Sequence, residues 1–254
     1  MNKPTISSAH TFASFDGQPI AWREVGVGRP IVLLHGLFSD ANTNWIKFGA
    51  AATIAAAGFR VIIPDLRGHG DSAKPHAAAA YPPDVLSLDA AALVAHLGLG
   101  DYDLGGYSLG ARTTIRCLVR GMTPRRVVAG GMGLSGLLEV ERRAAWFLSV
   151  IADPDSFAPG SPGWTAVQFM RTNHIDQTAA AHILRSQVAT ARADLDALDR
   201  PTLVVCGADD TDNGSAPDLA AVLPAATYAE TPGTHMSSVT KPEFGQAIAA
   251  FLAA

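Results

Sequence analysis

The chain has 254 residues, of which 48% are hydrophobic and 17% are charged. This composition is typical of a globular protein with a sizeable core and excludes a disordered or fibrous chain. The formal net charge of −4 gives no electrostatic basis for binding nucleic acid or an anionic membrane, so we expect neither as a partner.

The apolar segments of the chain are short. None approaches the roughly 18 consecutive apolar residues of a membrane helix, and residues 1–17 hold no apolar stretch of the length found in a signal peptide. The two cysteines, Cys117 and Cys206, have no neighbour at a metal-binding or redox spacing, so we expect both to be small core residues. The expected location is the cytoplasm.

Short apolar runs recur along the chain and predict strands, the first two of which flank a turn at Asp16-Gly17. The predicted strands cover residues 9–15, 19–25, 30–36, 59–65, 101–107, 125–133, 201–207 and 226–233. The predicted helices cover residues 43–57, 84–97, 109–121, 215–222 and 241–253. Several strand runs lack polar alternation, as in strands covered on both faces. The pattern predicts an α/β fold with a mostly parallel, doubly wound sheet of about eight strands and an antiparallel hairpin leading in.

Residues 135–199 interrupt this alternation, because they separate two predicted strands by about twice the usual crossover length. We interpret them as a helical cap inserted after strand 6 into an α/β core formed by residues 1–134 and 200–254. Four large apolar side chains of the cap either line a substrate pocket or hold the cap together: Trp146, Trp164, Phe169 and Met170. Arg171 and His174 are candidates for contact with a polar end of a substrate.

Three chemically distinctive side chains follow predicted parallel strands, in the order serine, aspartate, histidine. Ser108 follows the strand 101–107, Asp210 lies just after the strand 201–207, and His235 follows the last strand. Functional groups of parallel α/β sheets collect at the carboxyl ends of the strands. We therefore expect these three side chains to lie at one edge of the sheet.

Ser108 lies in the segment Gly106-Tyr107-Ser108-Leu109-Gly110, between a strand and a helix. A serine that projects from such a sharp turn adopts a backbone conformation disfavoured for residues other than glycine. Side chains at positions 106 and 110 would collide in this turn, which explains the two glycines. The segment therefore predicts a nucleophilic serine rather than an ordinary loop residue.

In this motif and in four further segments in the same order, the chain resembles the α/β-hydrolase fold family. The segments are HGLFSD, DLRGHGDS, GYSLGA, the GADD that follows a PTLVV strand, and GTHMSS. The resemblance covers almost the whole chain. It implies a serine hydrolase of the carboxylesterase type that cleaves small or medium esters through an acyl-enzyme and needs no cofactor. The implied partner is a small-molecule ester.

The resemblance also implies a catalytic triad. Ser108 is the implied nucleophile and His235 the base that accepts its proton, because a serine hydroxyl is a poor nucleophile without one. The carboxylate that orients His235 is implied at Asp210, which matches the family spacing. Asp209 is the second candidate and Asp212 the third.

Two backbone amides are expected to stabilise the oxyanion of the reaction. The resemblance implies the amide of Leu109, directly after the serine, and that of Leu37, after His35-Gly36, with Phe38 as the alternative. This stretch departs from the HGGG loop of some lipases and esterases. The departure argues against specialisation for tertiary alcohols or long-chain lipids.

Two histidines near the predicted site invite a metal-binding interpretation. His35 and His69 show no ligand spacing of known zinc motifs, so we expect a structural role for both, with His35 hydrogen-bonded to the loop around the site. We expect Asp65, Arg67 and Asp71 to fix the turn after the fourth strand. No metal is predicted.

Other functions are compatible with the same residues. Carbon–carbon hydrolysis of a ring-cleavage product, or lactone opening, would use the same triad, and a cap cation placed to bind a substrate carboxylate would favour it. The candidates for that cation are Arg142, Arg143, Arg171 and Arg185. An aspartyl nucleophile, as in related epoxide hydrolases and dehalogenases, is disfavoured by Ser108. A binding module without catalysis would be expected to carry a broken triad. The oligomeric state is not predicted.

Overall fold

A computed structural model describes residues 5–254 of the protein. Residues 1–4, which the sequence analysis included in the core and in the search for a signal peptide, lie outside the described residues. The strands are β1 His10–Ala13, β2 Pro19–Val25, β3 Arg29–Leu34, β4 Phe59–Pro64, β5 Asp103–Tyr107, β6 Val127–Gly130, β7 Thr202–Gly207 and β8 Ala226–Thr231. They form one sheet in the order β1-β2-β4-β3-β5-β6-β7-β8. Strands β3 to β8 pair in parallel, whereas β2 pairs antiparallel with both β1 and β4.

Helices connect and cover these strands. They are α1 Ala50–Ala56, α2 Val85–His96, α3 Leu109–Val119, α4 Leu134–Leu138, α5 Val140–Ala152, α6 Pro162–Thr172, α7 Gln177–Ser186, α8 Arg192–Asp196, α9 Ala216–Val222 and α10 Pro242–Ala253. A π-helical turn spans Asn42–Ile46, and single 3₁₀ turns span Ala78–Ala80 and Ser238–Thr240. Within residues 5–254, no helix is both long enough and apolar enough to cross a membrane.

The predicted fold class is confirmed, and the hairpin closes at Asp16-Gly17 with the Gly17 amide bonded to the Ser14 carbonyl oxygen. The prediction of one helix over residues 43–57 is wrong. The structure divides it into the π-helical turn and α1, because Gly49 adopts a left-handed conformation with a φ of 89° between them. A single left-handed residue breaks the helical hydrogen-bond ladder.

The apolar run of β3 shows why the sheet is buried on both faces. Val32 and Leu34 pack into the cluster that contains residues of α2 and α3, whereas Ile31 and Leu33 pack into the cluster formed with α1 and α10. All four side chains are fully buried. Alternate residues of a strand point to opposite faces, so a strand between two helical layers requires an unbroken apolar run.

Five of the helices, α4 to α8, lie between the adjacent strands β6 and β7. We call this segment, Leu134–Asp196, the helical insertion. It occupies the interval in which the alternation of strands and helices was predicted to stop. Leu195, near its end, packs with β7 and α9 in a core cluster of the sheet, so the insertion returns to the sheet before β7 begins.

Candidate active site

Ser108 lies at the sharp turn between β5 and α3, with a φ of 53° and a ψ of −111°. A Cβ atom on Gly106 would lie 2.2 Å from the carbonyl carbon of Gly110, and one on Gly110 would lie 2.2 Å from the carbonyl oxygen of Leu34. Real Cβ atoms do not approach backbone atoms so closely. The steric need for both glycines is therefore confirmed, and the turn presents Ser108 at the carboxyl end of the sheet.

The structure brings three of the predicted site residues together in one hydrogen-bonded chain. The Ser108 Oγ atom lies 3.0 Å from His235 Nε2, and His235 Nδ1 lies 2.8 Å from Asp210 Oδ2. The Asp210 side chain is only 1% exposed. With the Nδ1 proton donated to the carboxylate, Nε2 is left to accept the proton of the serine hydroxyl. The two alternative carboxylates, Asp209 and Asp212, are exposed, and neither occupies this position.

Asp210 is held by two further donors besides His235. Its Oδ1 atom accepts a hydrogen bond of 3.1 Å from the Asp212 amide, and its Oδ2 atom accepts one of 3.3 Å from the Cys206 thiol. Burial raises the pKa of the Asp210 carboxyl, but His235 and these donors outweigh burial and hold the pKa below its ordinary value. Burial and the neighbouring Asp210 raise the pKa of the Cys206 thiol to about 12, which keeps it protonated as a donor. Asp210 is thus fixed as a carboxylate.

Tyr107 contacts both the backbone and the ring of His235. Its hydroxyl donates a 2.6 Å hydrogen bond to the His235 carbonyl oxygen and lies 3.0 Å from Ser238 Oγ. The Tyr107 and His235 rings lie 5.1 Å apart between centroids. Burial raises the pKa of Tyr107 well above its ordinary value, so the hydroxyl remains a donor. Tyr107 therefore fixes the backbone from which the His235 ring extends.

Three backbone amides were predicted as candidates for binding an oxyanion. Within residues 5–254, the amides of Leu37 and Leu109 have no hydrogen-bond acceptor. The Phe38 amide instead donates to His69 Nε2 at 3.3 Å. The geometry therefore favours Leu37 over the alternative Phe38, because an oxyanion donor must have its N–H unpaired and already in place for the substrate.

The orientation of the Leu37 amide is fixed by the peptide group that it shares with Gly36. The Gly36 carbonyl oxygen accepts hydrogen bonds from His35 Nδ1 at 2.8 Å and from the Ser39 amide at 3.3 Å. The Gly36 amide donates to Asn44 Oδ1 at 2.9 Å. The carbonyl and N–H of a trans peptide point in opposite directions, so these contacts aim the Leu37 N–H away from His35.

Both histidines hydrogen-bond the loops of the site, which was expected of His35. His35 Nε2 accepts from the Leu66 amide at 2.9 Å, while Nδ1 bonds the Gly36 carbonyl oxygen. His69 Nδ1 lies 3.1 Å from the Arg67 carbonyl oxygen. Burial lowers the pKa of both rings, so each is a neutral imidazole with both nitrogens engaged. Among the described residues, no group of three or more histidine, cysteine or acidic side chains could hold a metal ion.

The turn after β4 is fixed by the residues predicted for it. The Asp65 carboxylate accepts hydrogen bonds of 2.8 Å from the Ala41 amide and 2.9 Å from the Asp71 amide. The Arg67 guanidinium, which is fully buried, pairs with Asp16 at 2.6 Å and Asp89 at 2.7 Å. These contacts hold the chain that carries His69.

We expect the stability of the fold to decrease as the pH falls from about 6.5 towards 3. Burial lowers the pKa of His69 to about 3, whereas the same ring in an unfolded chain titrates near pH 6.5. Between these values the unfolded state binds more protons, so His69 makes the free energy of unfolding rise by up to about 1.4 kcal/mol per pH unit. Urea unfolding at several pH values should show a shallower dependence for His69→Gln than for the wild type. An equal slope in both proteins would contradict this assignment.

A cavity of about 670 Å³ opens above Ser108 and His235. Its wall is formed by the loop after β3, the π-helical turn, the segment after β8, and helices α5 and α6 of the helical insertion. Of the four apolar residues predicted for a cap pocket, Trp146 and Phe169 line this cavity. The insertion therefore contributes directly to the space in front of the serine.

The prediction is wrong for the other two residues, Trp164 and Met170, which are absent from the cavity wall. Helix α6 presents Thr165 and Phe169 to the cavity, one helical turn apart. Trp164 lies one residue before Thr165, off this face of the helix, and is 36% exposed. Met170 is buried against Phe38. Met170 thus packs where the insertion meets the loop after β3, and neither of the two side chains lines the pocket.

Comparison with known proteins identifies the family of the chain. The model of the alpha/beta hydrolase family matches residues 31–245, which is more than half of the chain. The protein belongs to the alpha/beta hydrolase family. A non-heme haloperoxidase from Rhodococcus erythropolis is 31% identical over 247 residues, which cover 85% of this chain and 84% of that protein.

Solved structures of other hydrolases share the fold. An esterase from Rhodococcus sp. has a TM-score of 0.75 and 24% identity, with 98% of this chain and 99% of that chain covered. An enol-lactonase from Burkholderia xenovorans has a TM-score of 0.74 and 20% identity, with 96% of this chain and 100% of that chain covered. At these identities the two likenesses concern the fold alone.

The polar contacts predicted for the cap of this hydrolase need correction. Arg171 is exposed and pairs with Asp155 at 2.8 Å, and His174 is exposed as well, so neither lines the cavity. Of the four insertion arginines considered in the sequence analysis, Arg143 is the one that lines it. On helix α5, Arg143 and Phe147 lie one turn apart and face the same space.

Several residues of the hydrolase site escaped sequence reasoning. Phe147 lines the cavity and packs edge-on against Phe38, with 5.5 Å between ring centroids. Tyr107 and Cys206 each contact a member of the Ser-His-Asp chain. Their positions directly before Ser108 and Gly207, near the ends of two interior parallel strands, were the available signal. Asn44 could not be found from its sequence position, because its role depends on the π-helical turn.

Proposed function

We propose that the protein is a serine hydrolase that cleaves small or medium carboxylic esters through an acyl-enzyme. The observation that carries this proposal is the hydrogen-bonded chain from Ser108 Oγ through His235 to Asp210, at 3.0 Å and 2.8 Å. Ser108 is the nucleophile, His235 the general base and then acid, and Asp210 the residue that orients and stabilises the imidazolium.

In the first half of the reaction, Ser108 Oγ forms a bond to the ester carbonyl carbon while its proton passes to His235 Nε2. The amides of Leu37 and Leu109 bind the oxyanion of the tetrahedral intermediate. The bond between the carbonyl carbon and the alcohol oxygen then breaks, and His235 delivers its proton to the departing alkoxide. The products of this half are the alcohol and an ester of Ser108.

In the second half, a water molecule gives a proton to His235 Nε2 as its oxygen bonds the acyl carbon. The same two amides bind the second oxyanion. The bond from Ser108 Oγ to carbon breaks, the proton returns from His235 to Ser108, and the carboxylic acid leaves. No cofactor or metal enters these steps, and the partner is a small molecule.

The helical insertion, in this proposal, acts as a cap that shapes the acyl and alcohol subsites. Trp146, Phe147 and Phe169 supply apolar wall on the side facing Ser108. A volume of about 670 Å³ suits a small or medium ester. Residues 1–134 and 200–254 would then form the catalytic core, and we assign the protein to the cytoplasm.

The proposal is tested by active-site titration with a 4-nitrophenyl phosphonate. One equivalent of 4-nitrophenol should be released per chain, and the phosphonyl mass should be found on the peptide that contains Ser108. The Ser108→Ala protein is the matched control and should release none. Labelling at another residue would reject Ser108 as the nucleophile, and no labelling in the wild type would favour a binding module.

A substrate profile then distinguishes ester hydrolysis from the alternatives that share the triad. The panel contains 4-nitrophenyl esters from acetate to laurate, a simple aryl lactone and one ring-cleavage diketone. Fast turnover of the shorter esters supports the proposal. Slow ester turnover beside fast diketone cleavage would assign carbon–carbon hydrolysis, for which a cation in the cavity such as Arg143 was the favouring feature.

A further inference from the structure

The net charge of the cavity lining is positive, whereas the net charge of the whole protein is negative. The charged side chains that line the cavity are Lys47, Arg143 and Asp212, two cations and one anion, and the chain carries a net charge of −4. Lys47 is exposed, so solvent screens its charge. Arg143 is the cation held inside the site, with a side chain only 23% exposed.

The guanidinium of Arg143 is only partly satisfied by the protein. One N–H donates to the Asp212 carbonyl oxygen at 2.7 Å, and a second lies 3.5 Å from the Asp212 carboxylate, which is itself half exposed. An arginine carries five N–H donors, so three are without an acceptor among the described residues. The Arg143 guanidinium lies 5.1 Å from the centre of the Phe147 ring, over an apolar wall.

Arg112 is a second cation near Arg143, and it adds to the positive potential around the Arg143 guanidinium. Within residues 5–254, Arg112, on α3, bonds only the Gly136 carbonyl oxygen and the Gln187 side-chain oxygen, and no carboxylate pairs with it. Burial and repulsion from Arg143 lower the pKa of Arg112 to about 10. Burial also lowers the pKa of Arg143, against the opposing effect of Asp212. Asp212 and the more distant Asp210 are the carboxylates that act on Arg143, and Arg112 adds positive charge without a carboxylate partner among the described residues.

We propose that Arg143 is a specificity-determining residue that binds a carboxylate of the substrate, so that the ester cleaved at Ser108 also carries a free acid group. This inference rests on the proposed esterase function and names its substrate class. A planar carboxylate accepts two N–H donors from one guanidinium, and the low polarity of the cavity wall strengthens such a pair. The carboxylate belongs either to the acyl part or to the alcohol part of the ester.

The test compares esters that differ only in this charge. For the acyl part, the pair is mono-4-nitrophenyl adipate and 4-nitrophenyl 6-methylheptanoate, in which an isopropyl group replaces the carboxylate. For the alcohol part, the pair is 3-carboxyphenyl butyrate and 3-isopropylphenyl butyrate. The measured quantity is the ratio of kcat/KM for the charged ester to that for the neutral ester, after subtraction of spontaneous hydrolysis.

In one of the two pairs, Arg143→Gln should lower this ratio by about tenfold or more, mainly through KM, because a charge-assisted hydrogen bond is lost. Arg143→Lys should restore part of it. Arg142→Gln is the matched control, since Arg142 neighbours Arg143 but is 80% exposed, pairs with Glu139 and does not line the cavity. Its ratio should equal that of the wild type. The pair that responds shows which part of the ester carries the acid.

A ratio equal to that of the wild type in both pairs would overturn the inference, whether kcat/KM stays the same or falls equally for the charged and neutral esters. An equal loss would mean that Arg143 only holds the loop of Asp212 beside Asp210. Either result leaves the esterase proposal intact, provided that the neutral esters are hydrolysed by wild type and Ser108 is labelled. Failure of the labelling experiment would instead reject the proposed function itself.

Discussion

Replacement of Ser108 by alanine is expected to lower kcat for a good 4-nitrophenyl ester by about 10⁴-fold or more. In the proposed mechanism, the alanine removes the atom that forms the acyl-enzyme, while the cavity persists, as do the amides of Leu37 and Leu109 that are proposed to bind the oxyanion. The residual rate should therefore equal that of water attack in the site. Initial-rate kinetics with a burst-phase measurement check this result, and the burst of 4-nitrophenol should vanish.

The same experiment distinguishes a triad from independent contributions. His235→Ala should cost nearly as much as Ser108→Ala, and the double variant should be no slower than Ser108→Ala alone, because groups that act as a unit are not additive. Ser149→Ala, on an exposed part of α5 where its hydroxyl bonds its own helix, serves as the control. Additive losses in kcat for the Ser108 and His235 variants would contradict a hydrogen-bonded chain that acts as a unit.

Gly110→Ala is expected to destabilise the folded state by about 3 kcal/mol. The added Cβ atom would lie 2.2 Å from the Leu34 carbonyl oxygen and 2.5 Å from its carbonyl carbon, so α3 and β3 would have to separate. Backbone atoms of two core elements cannot give way as a flexible side chain does. Urea unfolding followed by tryptophan fluorescence measures the change.

The matched control for this prediction is Gly100→Ala. A Cβ atom there meets nothing within 4 Å, and Gly100 is not among the residues with a positive φ. Its free energy of unfolding should stay the same or rise slightly, because alanine restricts the unfolded chain. Similar losses for the two variants would show that the close packing at the serine turn is not what makes Gly110 necessary.

Much of the fold follows from local sequence features. The apolar run of β3, without polar alternation, indicated a strand covered on both faces, and the structure buries its alternate residues in two separate clusters. The glycines around Ser108 indicated a sharp turn. The structure gives the reason, because a Cβ atom on Gly110 would collide with Leu34 of β3 and one on Gly106 would collide with Gly110. Such features are readable because they depend on neighbours in sequence or on backbone sterics.

The wall of the cavity could not be predicted in the same way. Trp164 and Met170 are as apolar as Trp146 and Phe169, and their sequence positions do not reveal which face of α6 meets the cavity. That choice depends on how α6 docks against Phe38 and its neighbours. Contacts made through tertiary packing, such as the Cys206 thiol on Asp210, likewise have no periodic signature in the chain.

The chain leaves the sheet at Gly130 and re-enters it at Thr202, on strands that are direct neighbours in a fixed parallel register. The residues between them form no strand of the sheet, and those that do not pack on it, unlike Leu137 and Leu195, can change without altering a strand pair. In the proposed function, the segment that would select the substrate can therefore diverge, while the strand ends that carry the proposed triad stay the same. Selection for a new substrate can act on Leu134–Asp196 as a replaceable module, and an exchange of this segment between relatives should transfer preference while preserving the reaction.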